Sequence, residues 1–274
     1  MDTRRAMLVN IDQVSTVIRD TAAQEVMPRF RSLREGDIRD KGRGDLVTVA
    51  DVATEEVLSQ RLKELLPGCL VIGEEAVAAD PTLMDQLSSD RPIWIIDPID
   101  GTGNFARGRD VFAVMVALVQ AGRSLGGWIY DPVHNRMAVA EVGSGAFLDE
   151  CRVNFARGQD LTGMTGTLHA STFASPDLAE RIAERRSGLN TAKSMSCAGR
   201  EYMRMLEGGM QYSLFSRLMP WDHVPGSLLM QEAGGVANCL DGEPYAATRY
   251  GLEGLILAAS DKIWQRLYDI LFQA

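Results

Sequence analysis

Trp94-Ile95-Ile96-Asp97-Pro98-Ile99-Asp100-Gly101-Thr102-Gly103-Asn104-Phe105 is the stretch that decides the fold and chemistry of this chain. Apolar residues run into a carboxylate, then a proline, a second carboxylate and a Gly-Thr pair. A short apolar run bounded by turn formers reads as a buried strand, which puts Asp97 at its C-terminal end. Pro98 cannot extend a central strand and is expected to fix a turn there. The turn would hold Asp97 and Asp100 close together at the end of a sheet. Two carboxylates that near repel unless protons or cations lie between them, and hard cations such as Mg²⁺ take oxygen ligands of this kind. Gly101 and Thr102 add free backbone N–H groups of the sort that bind anions at a helix start. Metal and phosphate on adjoining residues point to metal-assisted phosphoryl chemistry. The same D-P-x-D-G run also fits a plain strand-ending turn, because Asp, Pro and Gly all favour turns.

The bulk properties narrow the class. A chain of 274 residues, 46% hydrophobic and 24% charged, suits a globular protein of one large domain or two modest ones. A net charge of −9 with no basic run argues against a nucleic-acid surface. No apolar stretch is long enough to span a bilayer, and no signal-peptide core is evident, so a cytoplasmic protein is expected. Cys69, Cys151, Cys197 and Cys239 stand singly and are expected to be reduced and buried. His134, His169 and His223 are equally isolated, which argues against zinc.

Working outward, Leu8, Ile11, Val14, Ile18, Ala22 and Val26 have helical spacing and predict one amphipathic helix over about 7–33. Residues 35–45 are charged and Gly-rich, and read as a surface loop or an active-site lid. Thr48 and Asp51 have capping-box spacing for a helix that stops at Pro67-Gly68. Asp51 is therefore a cap carboxylate, or a carboxylate at a helix start facing the site. A strand over 69–72 ends in Gly73-Glu74-Glu75, where a strand-end Glu could join the same sheet edge. Residues 78–91 read as a polar connector, and 111–119, 124–130 and 137–142 as strands, the first two joined by a hairpin at 120–123. A boundary near Asp149 and Glu150 divides the chain into 1–149 and 150–274. In the second half a strand is expected over 167–171, with helices over 176–186 and 196–208. A helix N-cap is expected at Asp222, then a strand over 254–259 and a closing helix over 263–271.

Three acidic motifs, in order, now stand together: G-E-E at 73–75, W-I-I-D-P-I-D-G-T at 94–102 and W-D at 221–222. With the D-L-V-T-x-x-D run at 45–51 and E-A-G-G at 232–235, they resemble the inositol monophosphatase family over essentially the whole chain. The resemblance implies an α/β fold layered α/β/α/β/α, and Mg²⁺-dependent hydrolysis of a small phosphorylated metabolite using roughly two or three ions. It also implies lithium sensitivity and a homodimer. By matching position, Glu74, Asp97 and the Ile99 carbonyl would hold a first ion, and Asp97, Asp100 and Asp222 a second, Glu74 counting also among the catalytic groups. Asp51 and Thr102 would orient and deprotonate the attacking water. The N–H groups of Gly101 and Thr102 would hold phosphate, and Lys41 would be a lid lysine.

The chain departs from the family on the substrate side. Inositol phosphatases place a Glu near position 215, where this chain has Leu214-Phe215-Ser216-Arg217. Ala198 falls where the family has a small pocket residue, and His223-Val224-Pro225-Gly226 replaces the usual small run after W-D. A leaving group other than inositol is the expectation, with Arg217 or Arg200 meeting a second anionic group. The rivals are a nucleotide 3′-phosphatase, a histidinol-phosphatase and a fructose-1,6-bisphosphatase. A different class remains: a binding or regulatory protein on the same fold.

Overall fold

The computed structural model of the chain describes residues 8–42, 45–155, 161 and 163–273. The first helix, α1 (Ile11–Thr21), starts at Asn10, whose side chain accepts from the N–H groups of Asp12 and Gln13. It widens into a π turn over Ala22–Val26. Val14, Ile18, Ala22 and Val26 form the buried stripe that the spacing predicts. Position 7, the expected start, lies outside the described residues. The regular helix stops well before position 33, because Pro28 has no N–H to give and its ring clashes with the preceding turn.

The segment expected to be a loop is instead a two-stranded antiparallel hairpin, β1 (Ile38–Gly42) with β2 (Asp45–Thr48). It leads into α2 (Val49–Leu65), then β3 (Leu70–Gly73) and α3 (Glu74–Ala79). The expected connector over 78–91 carries the end of α3 and a 3₁₀ helix over Pro81–Ser88, which buries Met84 and Leu87. The remaining strands of the first sheet are β4 (Pro92–Asp100), β5 (Ala113–Gln120), β6 (Arg123–Asp131), β7 (Arg136–Glu141), β8 (Gly145–Leu148) and β9 (Cys151–Val153). The short α4 (Thr102–Ala106) leaves the end of β4. The β5–β6 hairpin turns at Ala121 and Gly122, both at positive φ, as expected. Asp149 and Glu150, also at positive φ, form the β8–β9 turn, so the first sheet runs on to Val153. Cys151 on this edge strand is exposed, whereas the other cysteines are buried as expected. Sequence periodicity could not show that, since a three-residue edge strand has almost no pattern.

The second sheet has the order β11-β10-β12-β14-β13. Its strands are β10 (Thr165–Leu168), β11 (Asn190–Thr191), β12 (Tyr212–Arg217), β13 (Val236–Cys239) and β14 (Glu253–Ala258). Among them lie α5 (Pro176–Arg185), α6 (Ala198–Leu206), α7 (Pro220–Glu232) and α8 (Asp261–Phe272).

Strand alternation sorts these elements into layers. On β4, Trp94 and Ile96 face the core made with α1 and α2. Ile93 and Ile95 face the opposite core, which contains Met203 and Met205 of α6, Leu228 and Leu229 of α7, and Leu255 and Leu257 of β14. The other face of β14, Ile256 and Ala258, packs on Ile182 of α5 and Ile263 and Leu267 of α8. The order is therefore α/β/α/β/α, with α7 wedged between the two sheets. Where α7 crosses β6, a Cβ on Gly127 would stand 2.8 Å from the Pro225 carbonyl oxygen and 3.0 Å from Pro225 Cα. Neither backbone atom can swing away as a side chain would. Gly127→Ala is expected to cost about 1–3 kcal/mol by overpacking this contact, measured as a lower urea midpoint. An unchanged midpoint would mean that α7 and β6 can separate freely.

Candidate active site

The central strand brings the first two carboxylates together, though not through the turn expected at Pro98. β4 continues through Pro98 to Asp100. Its pairing with β3 ends at Ile96, and on its other side Asp97 faces Met115 while Asp100 faces Ala113. Positions 97 to 100 thus span one residue more than 113 to 115, which is a bulge. A proline without an N–H is tolerated at such a place. Gly101 then turns the chain at φ +87°, where a Cβ would meet the Val111 carbonyl oxygen at 3.0 Å and Cys197 Cβ at 3.1 Å. Only glycine fits that turn.

Helix starts supply the other acids. Asp51 lies in the first turn of α2 and completes a capping box, accepting on Oδ2 from Thr48 N at 2.8 Å and Thr48 Oγ1 at 2.5 Å. Its Oδ1 faces Thr102 Oγ1 at 3.0 Å, so cap and site roles coexist. Thr102 Oγ1 also lies 2.9 Å from the Ile99 carbonyl oxygen, and its single proton serves one acceptor at a time. Glu74 opens α3 and accepts from Lys41 Nζ at 2.8 Å, while Glu75 accepts from the same ammonium at 3.0 Å. Asp222 is not the helix N-cap: α7 begins at Pro220 after Met219, which places Asp222 within the first turn.

Among the described residues, Asp97, Asp100 and Asp222 each place a carboxylate oxygen within 4.8 Å of the others. Together with Glu74, Ile99 and Thr102 they line a pocket of about 200 Å³. Burial pushes the Asp97 carboxyl well above the usual range, and repulsion from Glu74, Asp100, Asp222 and Asp51 adds to it. Asp100 is pushed up by burial as well. Glu74 rises to about 8, because burial and repulsion from Asp222 outweigh the pull of Lys41. Asp51 rises to about 6, chiefly through burial. Asp97 Oδ1 is buried and has no hydrogen-bond partner among the described residues. A buried acceptor in that state is costly, and a hard cation is the partner that an all-oxygen cluster fits.

The structure separates the expected substrate residues. Arg217 lines the pocket, at the end of β12. Arg200 does not: its guanidinium pairs with the buried Asp131, a carboxylate on β6 that nothing in the local sequence ties to it. Ala198 contributes its backbone, the N–H donating to Asp100 Oδ1 at 3.1 Å. Phe215 turns into the core and stacks on His169 at 4.6 Å between ring centres. Leu46 and Trp221 also line the pocket, and Cys197 and Gly199 donate to Asp100. These contacts join segments far apart in the chain and leave no local signature.

Comparison with known proteins now bears on this geometry. The profile of the inositol monophosphatase family matches residues 8–273. This chain belongs to the inositol monophosphatase family. Among curated family relatives, inositol-1-monophosphatase of Bacillus subtilis is 29% identical over 204 residues, 73% of this chain and 75% of that protein. Nus factor SuhB of Escherichia coli is 30% identical over 231 residues, 81% of each chain. A dual specific IMPase/NADP phosphatase, solved bound with D-inositol-1-phosphate, shares the fold at a TM-score of 0.78 and 20% identity, over 96% of both chains. Family membership makes the chain a phosphoric monoester hydrolase.

The crowded acids make stability depend on pH and cation. A carboxyl raised in the folded state contributes stability that is complete below its ordinary pKa and lost as pH rises through the folded value. For Glu74 that loss begins above the ordinary value of 4.5 and is complete a little above about 8. In metal-free buffer, Tm is expected to fall by several degrees between pH 6.5 and 8.5, less so in Glu74→Gln. Added Mg²⁺ should raise Tm more at the higher pH. Equal Mg²⁺ shifts at both pH values would contradict a carboxylate cation site.

Proposed function

We propose that the chain hydrolyses a small phosphate monoester, in the manner of an inositol-1-phosphatase, by in-line attack of water on phosphorus with Mg²⁺ as cofactor. The observation that carries this reading is the convergence of Asp97, Asp100 and Asp222 beside the Asp51–Thr102 pair. Glu74, Asp97, Asp100, Asp222 and the Ile99 carbonyl would hold roughly two or three ions. When bound, Mg²⁺ supplies positive charge against the phosphoryl oxygens and acidifies water. Thr102 Oγ1 accepts a hydrogen bond from the incoming water and passes its own proton to Asp51 Oδ1. A carboxyl held at about 6 is ionised at neutral pH yet basic enough to take that proton. The N–H groups of Gly101 and Thr102 hold the phosphate, and Lys41, on its hairpin beside Glu74, serves as the lid lysine.

The leaving group meets Arg217 rather than an acid, since Phe215 is packed away from the pocket. That favours a substrate with a second anionic group, and a similar structure with dual specificity supports a pocket of such breadth. Residues 1–149 then carry most of the metal site, and 150–274 carry Asp222 and the specificity segment. A lithium-sensitive cytoplasmic homodimer is the corresponding assembly; sedimentation velocity tests the dimer. The relative named Nus factor SuhB motivates a second reading, a binding role on the same fold.

Phosphate release with and without Mg²⁺ should be measured on inositol 1-phosphate, 3′-phosphoadenosine 5′-phosphate, histidinol phosphate and fructose 1,6-bisphosphate. Mg²⁺-dependent release from one or more is expected, and release from none would favour the binding role. Asp97→Asn should nearly abolish turnover, whereas Asp51→Asn should lower kcat by about 10²–10⁴ and leave Mg²⁺ binding in place. Arg217→Ala should raise KM about tenfold for a bisphosphorylated substrate, the loss of one charge-assisted contact, and change it little for a monophosphate. Equal effects on both would remove Arg217 from substrate recognition.

A further inference from the structure

We infer that Cys197 is a positioning residue for Asp100: its thiol, acting with the first amides of α6, orients that carboxylate toward Asp97 and Asp222. The inference rests on the proposed cation site and goes one layer outward from it. Asp100 has both oxygens occupied by one short segment. Oδ2 accepts from Cys197 Sγ at 3.0 Å and from Gly199 N at 2.5 Å, and Oδ1 accepts from Ala198 N at 3.1 Å. Cys197 is 4% exposed, and its Cβ lies 3.1 Å from where a Cβ on Gly101 would stand. A neutral thiol has one S–H to donate, and Asp100 Oδ2 is the carboxylate oxygen within its reach.

The segment that carries the thiol is itself fastened from two sides. Asn104 Nδ2, from α4, lies 2.9 Å from the Met195 carbonyl oxygen and 3.2 Å from that of Ser196. The fully buried Glu201 accepts on Oε1 from Ser194 Oγ at 3.1 Å and from Met195 N at 2.9 Å. Ser196 lies between these attachments at φ +52°, a backbone conformation that a non-glycine residue rarely adopts. A segment so held has little freedom, so the thiol at its end is set in direction as well as in distance. Donors that orient a metal-ligating carboxylate commonly influence metal affinity by 10- to 100-fold. Asp100 lies within 4.8 Å of the Asp97 and Asp222 carboxylates, so donors on its far side offset the repulsion of like charges.

Metal-free wild type, Cys197→Ala, Cys197→Val and Cys197→Ser are to be titrated with Mg²⁺ by calorimetry, with kcat measured against Mg²⁺ concentration in parallel. Valine keeps side-chain volume without a donor, and serine keeps a donor in a smaller group. The expected result is Mg²⁺ affinity about tenfold weaker in the Ala and Val variants, with kcat recovered at high Mg²⁺. Serine should restore affinity to within about threefold of wild type, as a hydroxyl can replace the thiol as donor. Wild-type affinity in Ala and Val, or a Ser variant as weak as Ala, would overturn the positioning role while leaving the cation site standing. No Mg²⁺ binding by the wild type itself would overturn the cation site, and this inference with it.

Discussion

Mutual repulsion among buried carboxylates is the constraint that the structure is built to contain. Asp97 is pressed by four acidic neighbours at the end of a sheet, in a place with little water to screen them. Helix starts contain it. Asp51, Glu74 and Asp222 each sit in the first turn of a helix, and Asp100 receives the first amides of a fourth. The positive end of a helix favours a negative charge by about 0.3–1 kcal/mol, and up to ~2 where partly buried. Four such ends aimed at one pocket leave the acids folded but still in want of positive charge.

The same arrangement explains why Lys41 lies where it does. The hairpin that carries it has few buried side chains of its own, yet its ammonium reaches Glu74 and Glu75. A cation from the protein and one from solution answer the same electrostatic demand. On the substrate side the demand differs. Phe215, His169, His223 and Tyr202 form an aromatic cluster, and His223 Nε2 lies 2.8 Å from the Arg217 carbonyl oxygen, so ring packing backs the strand end that carries Arg217 to the pocket.

The acidic motifs were legible in the sequence because each is local: a carboxylate follows a strand or opens a helix within a few residues. The layered order was implied by the family resemblance that these motifs carry, whereas the residues alone marked single elements, through the apolar run on β4 and helical spacing on α1. Pro98 misled the reading of β4, since a proline argues against a central strand unless a bulge is known to lie there, and bulges depend on the partner strand. The hairpin over 38–48 was missed because its residues are charged and pair mainly through backbone. β12 was missed because it is buried on both faces, which erases alternation. Arg200 was placed by charge alone, and only the fold shows that Asp131 claims it.

α7 has a consequence beyond the pocket. It is wedged between the sheets by Leu228 and Leu229 while its first turn presents Asp222. The acids of the site therefore come from positions 51 to 222, and the last of them arrives only when the interlayer packing is complete. Contacts so distant along the chain form late in folding, since loop closure must precede them. A chain in which α7 is not yet seated would lack Asp222 and so present an incomplete cluster. On the proposed cation site, ion affinity would therefore also report that the two sheets have closed on α7.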